Sequence, residues 1–357
     1  MYLTRKIYSR WIKITHYEFW PTAIFYAPGI IYYLWRCWRN GYLGLLSVAN
    51  PGMLKVGIFQ APKVGVLNQL AQKYPEHIPN SLSLVEAERN NWPKLTDAFM
   101  KLHELKFPII VKPQIGQRGA DIKLADSREQ LLECLADIPK LSKHQDALYM
   151  LQEFTPGIEY GVHYARLPNE DKGWIFSLGR KDSIFLQGDG VNNLKHLIMK
   201  HPRACIMYKV HLAKHKDKLD WVPAKEEEFK LVEIGTHSRG AIFNDSRNLI
   251  TQDLSNKIDA LSKGYPGFFI GRYDILAFSE KDLQAGKNFK VVELNSVMGE
   301  PPHMYHPSNT LWQGYVALFQ YIKLVTVIAK ENILLGNQPL PWREFINTTR
   351  KSYNQLT

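Results

Sequence analysis

Two short, apolar, β-rich runs, Ile270–Leu276 and Phe289–Leu294, constrain this sequence more than any other stretch, because polar oxygens interrupt them at fixed places. Gly, Lys and Asn bound them, as befits strands. Asp274 sits inside the first run, and Glu293 and Asn295 close the second. Side chains alternate along a strand, so Glu293 and Asn295 share one face. If the runs pair as a hairpin, two carboxylates and a carboxamide converge. That hard oxygen set suits Mg²⁺, which usually shares its shell with substrate phosphates. A strand end with polar residues facing water would carry the same short pattern.

With 357 residues, 45% of them hydrophobic, the chain can bury a full core and has room for two or three domains. A charged fraction of 22% excludes a disordered composition. The net charge of +11 implies an anionic partner: a nucleotide, a phosphorylated or carboxylate substrate, nucleic acid or an acidic membrane surface. The basic residues are dispersed and join no stacking-aromatic motif, so nucleic acid is not expected. Cys37, Cys134 and Cys205 are far apart and form no CxxC pair, which disfavours a disulfide scaffold or zinc site and fits a reducing compartment.

At the N-terminus Arg5, Lys6, Arg10 and Lys13 precede an aromatic run from Phe19 to Trp35, and Arg36 and Arg39 follow it. No small-residue cleavage site comes after, which speaks against a signal peptide. Pro21, Pro28 and Gly29 interrupt the run, which is shorter than a spanning helix needs. Two readings stay open: short helices packing their aromatics on the body, or Tyr and Trp meeting a membrane surface. Leu43–Val48 reads as a strand before the turn Asn50-Pro51-Gly52, and Leu67–Tyr74 as a short helix. No GxGxxG motif occurs. Apolar spacing from Trp92 to Lys106 is helical.

Phe107–Pro113 then reads as a buried strand carrying Lys112 at its end, followed by a glycine-containing turn (Gly116, Gln117, Arg118, Gly119) and a second strand at Ile122–Leu124. Such a hairpin can lay backbone N–H groups over phosphates with the lysine as a point charge; an exposed lysine beside an ordinary turn is the plainer alternative. Ser127 caps a helix through Leu135. Strands follow at Leu148–Phe154 and Ile158–Tyr164, and the intervening strand end offers free backbone groups to an adenine edge, with Glu159 able to accept from ribose hydroxyls. Asn193–Met199 is expected as a helix and Leu231–Arg239 as a strand.

In order and spacing, the blocks IIVKPQIGQRGA, LQEFTPGIEYGV, GRYDIL and VVELNSVMG resemble the ATP-grasp superfamily, and within it the carboxylate–amine ligases typified by D-alanine–D-alanine ligase. The similarity runs from about Phe107 to Pro307. It implies an α+β ATP-grasp fold, two subdomains clamping ATP, with the N-terminal region here abbreviated and aromatic. Expected divisions are 1–40 (basic aromatic helices), 41–92 (abbreviated region), 93–165 (small subdomain), 166–310 (catalytic subdomain) and 311–357 (C-terminal helices). By the same resemblance Lys112 contacts the ATP phosphates and Gly116 to Gly119 cover them. Gln152, Glu153, Phe154 and Thr155 form the adenine hinge, mainly through backbone atoms, and Glu159 is the ribose acid. Asp274, Glu293 and Asn295 hold two Mg²⁺ ions, for which Mn²⁺ can substitute. Arg272 meets the tetrahedral intermediate or the substrate carboxylate, and an earlier lysine falls on Lys63. Gly188-Asp189-Gly190 with Leu194, Leu197 and Ile198 also resembles a stretch of other ATP-grasp ligases. After Gly299 the chain reads Glu300-Pro301-Pro302-His303, a departure from the small-residue loop that grips D-alanine.

The expected activity is ADP-forming ligation of a small-molecule carboxylate and an amine. Arg239 and Arg180 are candidate carboxylate grips, with Lys181, His237, Glu300 and His303 beside them. An ATP-grasp kinase and a non-catalytic nucleotide-binding protein at a membrane surface are the alternatives. A homodimer is the expected assembly, in the cytoplasm or at the inner face of a membrane.

Overall fold

A computed structural model of the chain describes residues 2–53, 63–114, 121–139, 149–231 and 241–354. In chain order its elements are α1 (Tyr2–Thr15), α2 (Thr22–Asn40), α3 (Lys63–Ala71), β1 (Ser81–Leu84), α4 (Trp92–Leu102), β2 (Ile109–Pro113), β3 (Lys123–Ala125), α5 (Arg128–Ala136), β4 (Tyr149–Glu153), β5 (Ile158–Ala165) and β6 (Trp174–Asp182). Then come β7 (Phe185–Gln187), α6 (Leu194–Lys200), α7 (Tyr208–Lys214), β8 (Glu228–Lys230), β9 (Ile242–Asp245), α8 (Gln252–Gly264), β10 (Ile270–Ala277), α9 (Glu280–Gln284), β11 (Phe289–Asn295), α10 (Leu311–Leu334) and α11 (Trp342–Asn354). Helices and antiparallel sheets mix, as an α+β chain requires.

The chain forms two compact units, each built from separated stretches. One comprises Met1–Trp35, Gly179–Asp245 and Pro302–Ile322. In it the end of β6 pairs with β9, β7 pairs with β8, and Leu194, Leu197 and Ile198 of α6 fill a core with Ile184, Leu186 and Leu231. Aromatics of the N-terminal run pack here too: Phe25 stacks on Tyr17 and Tyr315 at ring-centre distances of 5.3 Å each.

The other unit comprises Arg36–Leu178, Ser246–Pro301 and Lys323–Thr357. It carries a sheet of order β1-β4-β2-β3, backed by Trp92 of α4 and Leu131 and Leu135 of α5. A second sheet runs β11-β10-β5 and on into β6. Alternation along β5 and β10 sends Tyr160, Val162, Tyr164, Tyr273 and Ile275 into a core with Leu254, Ile258 and Leu261 of α8. The same alternation leaves Arg272 and Asp274 on the opposite face. Ser127 and Asn193 cap α5 and α6 as their sequence positions suggest, accepting from Gln130 N and His196 N.

Leu43–Val48, expected as a strand, is instead a 3-10 turn over Leu45–Val48. Ser47 Oγ donates back to Gly44 O at 2.6 Å and accepts from Leu340 N at 2.9 Å, holding the backbone in a turn that apolar content alone does not reveal. The short helix expected at Leu67–Tyr74 starts earlier, at Lys63. The strand expected at Leu231–Arg239 lies almost wholly outside the described residues. Among the described residues, α10 alone is long and apolar enough to cross a membrane by length and composition, with 39% of its most apolar window buried.

Candidate active site

The site grows from the β10–β11 hairpin. Its register sets Asp274 opposite Glu293 and Arg272 opposite Asn295, which puts the three expected oxygen-bearing residues together beside the expected arginine. The pairing slips between Asp274 and Ile275, so Val292 is left out of the register. Such a bulge releases a backbone group from the ladder. The Val292 carbonyl accepts from Lys112 Nζ at 3.3 Å.

Arg272 and Asp274 form a two-pronged pair: Nε donates to Oδ1 at 2.8 Å and Nη2 to Oδ2 at 3.1 Å. Burial works against the charged guanidinium, but Asp274, together with Glu293 and Glu300, outweighs it and holds Arg272 firmly protonated. The Asn295 amide lies among Asp274, Glu293 and Arg272. Turned so that its nitrogen donates to Glu293 Oε1 (3.1 Å) and its oxygen accepts from Arg272 Nη2 (3.3 Å), both ends are satisfied. Lys63, the first residue of α3, brings Nζ to 3.6 Å from Glu293 Oε1.

Lys112 enters from the other sheet. Only 6% of it is exposed, and Nζ donates to Gln152 Oε1 at 2.8 Å as well as to Val292 O. Burial first, then neighbouring Lys63, pull its pKa from 10.5 to about 8, while Glu293, Asp274 and Glu159 oppose the shift. Lys63, Lys112 and Arg272 thus lie within electrostatic reach of the same acids.

The hinge residues have distinct side-chain roles beyond the backbone use expected of them. Gln152 is fully buried; Oε1 takes the Lys112 ammonium and Nε2 donates to Ser81 Oγ at 3.1 Å. Glu153 accepts from the backbone and side-chain nitrogens of Asn80 at 3.0 and 2.9 Å, tying β4 to the segment before β1. Phe154 is 37% exposed, whereas Thr155 is buried and its hydroxyl has no hydrogen-bond partner among the described residues.

Arg180 and Lys181 lie on β6 in the other compact unit, where Arg180 Nε pairs with Asp182 Oδ1 at 2.8 Å. His303 belongs to that unit as well. Glu300 contributes its carbonyl, which accepts from Arg272 Nη1 at 3.4 Å. Gly116, Gln117, Arg118, Gly119, His237 and Arg239 lie outside the described residues.

Two supporting residues escaped the sequence reading. Asn50 is fully buried: Nδ2 donates to Ile270 O and Ser296 Oγ, both at 2.7 Å, and Oδ1 accepts from Phe269 N and Ile270 N at 2.7 and 2.9 Å. It clamps the start of β10 to the residue that follows β11. His163, opposite Arg272 on β5 and fully buried, shares a 2.7 Å hydrogen bond between Nε2 and Gly299 O, pinning the loop after the hairpin. Gly271 lets these strands close: a Cβ there would stand 2.3 Å from Asn295 O.

No family model and no curated protein matches the chain. Solved structures similar to it include the bifunctional glutathione synthetase of Pasteurella multocida, at 16% identity over 76% of this chain and 38% of that one, with a TM-score of 0.39. The chain therefore spans well under half the length of that protein. The D-alanine–D-alanine ligase of Bacillus anthracis complexed with ATP is 14% identical over 79% of this chain and 69% of that one, with a TM-score of 0.42. The VanG D-Ala:D-Ser ligase of Enterococcus faecalis is 12% identical over 77% and 63%, with a TM-score of 0.42. What the site can do chemically is carried by its own side chains.

Proposed function

We propose that this chain is an ATP-dependent, ADP-forming ligase that joins a small-molecule carboxylate to an amine through an acyl phosphate. The observation behind it is the meeting of Lys112, from one sheet, with the acid-bearing end of the β10–β11 hairpin, from another, across 180 residues of sequence. A carboxylate does not react with an amine in water. A substrate carboxylate oxygen must first attack the γ-phosphorus of ATP, breaking the bond to the bridging oxygen, which leaves on ADP. The neutral amine then attacks the acyl carbon and gives up a proton, and phosphate departs from the tetrahedral adduct. Such phosphoryl transfer asks a protein for position and charge neutralisation rather than a nucleophile.

The residues fit those demands. Lys112, nearly dry and held by Gln152, offers a cation to the triphosphate. Asp274 and Glu293, on facing strand positions, and Asn295, two residues further along β11, offer two carboxylates and a carboxamide oxygen, the donor set of Mg²⁺ or Mn²⁺, and they would hold it. A bound divalent ion there supplies further neutralisation of the phosphates. Arg272, fixed by its fork to Asp274, serves the developing oxyanion. Glu159 serves the ribose, and the backbone from Gln152 to Thr155 the adenine edge.

The test is ATP turnover against pooled amino acids, peptides and polyamines, with mass spectrometry of any adduct. ADP and phosphate should appear only when both an acid and an amine are present. A stable phosphate ester formed with no amine supplied would make the protein a kinase and overturn the ligase reading.

A further inference from the structure

We propose that the outward faces of α1 and α2 dock this protein peripherally on an anionic lipid bilayer. The inward faces of both helices have partners. Ser9 Oγ donates to Ile206 O at 2.9 Å, Phe25 stacks on Tyr17 and Tyr315, and Gly29 lies so near Leu318 that a Cβ would come within 2.8 Å of it. The opposite faces differ. Along α1, Leu3, Ile7, Trp11 and Ile14 recur at steps of four, four and three, which is one stripe of a helix, and are 72%, 57%, 64% and 68% exposed. On α2, Ile24 and Ile31 lie two turns apart and are 58% and 68% exposed. Single exposed apolar residues are ordinary on a protein surface; stripes on successive helices are not.

Charge identifies the occupant. Lys6 and Arg10 are one turn apart, run along the edge of the α1 stripe, and are exposed. Neither has an ion-pair partner among the described residues. Neither helix contains a single Asp or Glu, and the whole chain carries a net +11. A second copy laid on this face would set cation against cation, whereas a bilayer of acidic lipids supplies both the apolar depth and the negative charge. Apolar and Trp side chains bordered by Lys and Arg are what a helix lying in the plane of an interface presents.

The full chain should co-float with vesicles of phosphatidylcholine and phosphatidylglycerol, less so as salt is raised, and only weakly with phosphatidylcholine alone. Each basic residue near such a surface strengthens binding by about fivefold, so removing both cations with Lys6→Gln/Arg10→Gln should weaken it by roughly thirtyfold. Ile7→Ser/Trp11→Ser should abolish co-flotation while the circular dichroism spectrum and melting temperature stay unchanged, because both side chains are exposed. Absence of co-flotation overturns the proposal, as does co-flotation that neither variant reduces. So does a dimer that Ile7→Ser/Trp11→Ser disperses in the absence of vesicle binding, which would assign the stripe to self-association.

Discussion

Lys112 makes the fold depend on pH in a direction opposite to that of a lysine whose pKa an ion pair raises. Its ammonium is almost completely buried and its pKa stands at about 8 rather than 10.5, a difference equivalent to about 3 kcal/mol. Between those values the unfolded chain binds the proton and the folded chain does not, so stability rises with pH across that window. Below pH 8 the full cost is present; near pH 10.5 it is gone. Replacing Lys112 by Met removes the titration but leaves Gln152 Oε1 and Val292 O without their donor, a loss of about 1–3 kcal/mol. The two effects nearly cancel at pH 7, where Lys112→Met should unfold within about 2 kcal/mol of the parent. At pH 10.5 the parent should have gained about 3 kcal/mol over the variant relative to pH 7. Urea unfolding of both proteins at a series of pH values measures that difference directly, since every other titrating group is common to the two. Stability curves that run parallel from pH 7 to 10.5 would refute the reasoning and return Lys112 to an ordinary, hydrated lysine.

Three further outcomes follow from the same geometry. Asp274→Asn strands the partly buried Arg272 without its anion and should lower unfolding free energy by about 2–4 kcal/mol, seen as a clear drop in the urea midpoint. Gln152→Glu places an anion 2.8 Å from Lys112, so the lysine pKa should rise and ATP binding persist to higher pH than in the parent, read from the dissociation constant against pH. Asn50→Ala removes four hydrogen bonds at about 1 kcal/mol each and should cost about 4 kcal/mol in thermal or urea unfolding.

Much of the hairpin was legible because its information is local. A period of two puts Glu293 and Asn295 on one face, and apolar runs of strand length with Gly and Asn boundaries give the pairing. Lys112 was legible for a similar reason, as a charge at the end of a buried strand. The rest depends on distant partners. Asn50 reads as the first residue of a turn, and only the folded chain shows that its amide reaches residues 219 to 246 positions away. Gln152 reads as a hinge residue used through its backbone, because nothing in its own neighbourhood reveals that Lys112 will end beside its side chain. The bulge at Val292 leaves no mark in a Val-Val pair. Leu43–Val48 has strand composition, but the Ser47 hydroxyl and the approach of Leu340 hold it as a turn. A linear reading also divides the chain into consecutive blocks, whereas each compact unit gathers three separated stretches.

In the proposed site Lys112 and the hairpin oxygens bind one magnesium–triphosphate together. Calorimetric titration of a non-hydrolysable ATP analogue, with Mg²⁺ and with chelator, into the parent, Lys112→Met and Asn295→Ala tests it most directly. Binding by the parent should depend on Mg²⁺ and be weakened on the order of tenfold to a hundredfold in either variant while both stay folded. Equal affinity in all three proteins, or affinity indifferent to the metal, would contradict it.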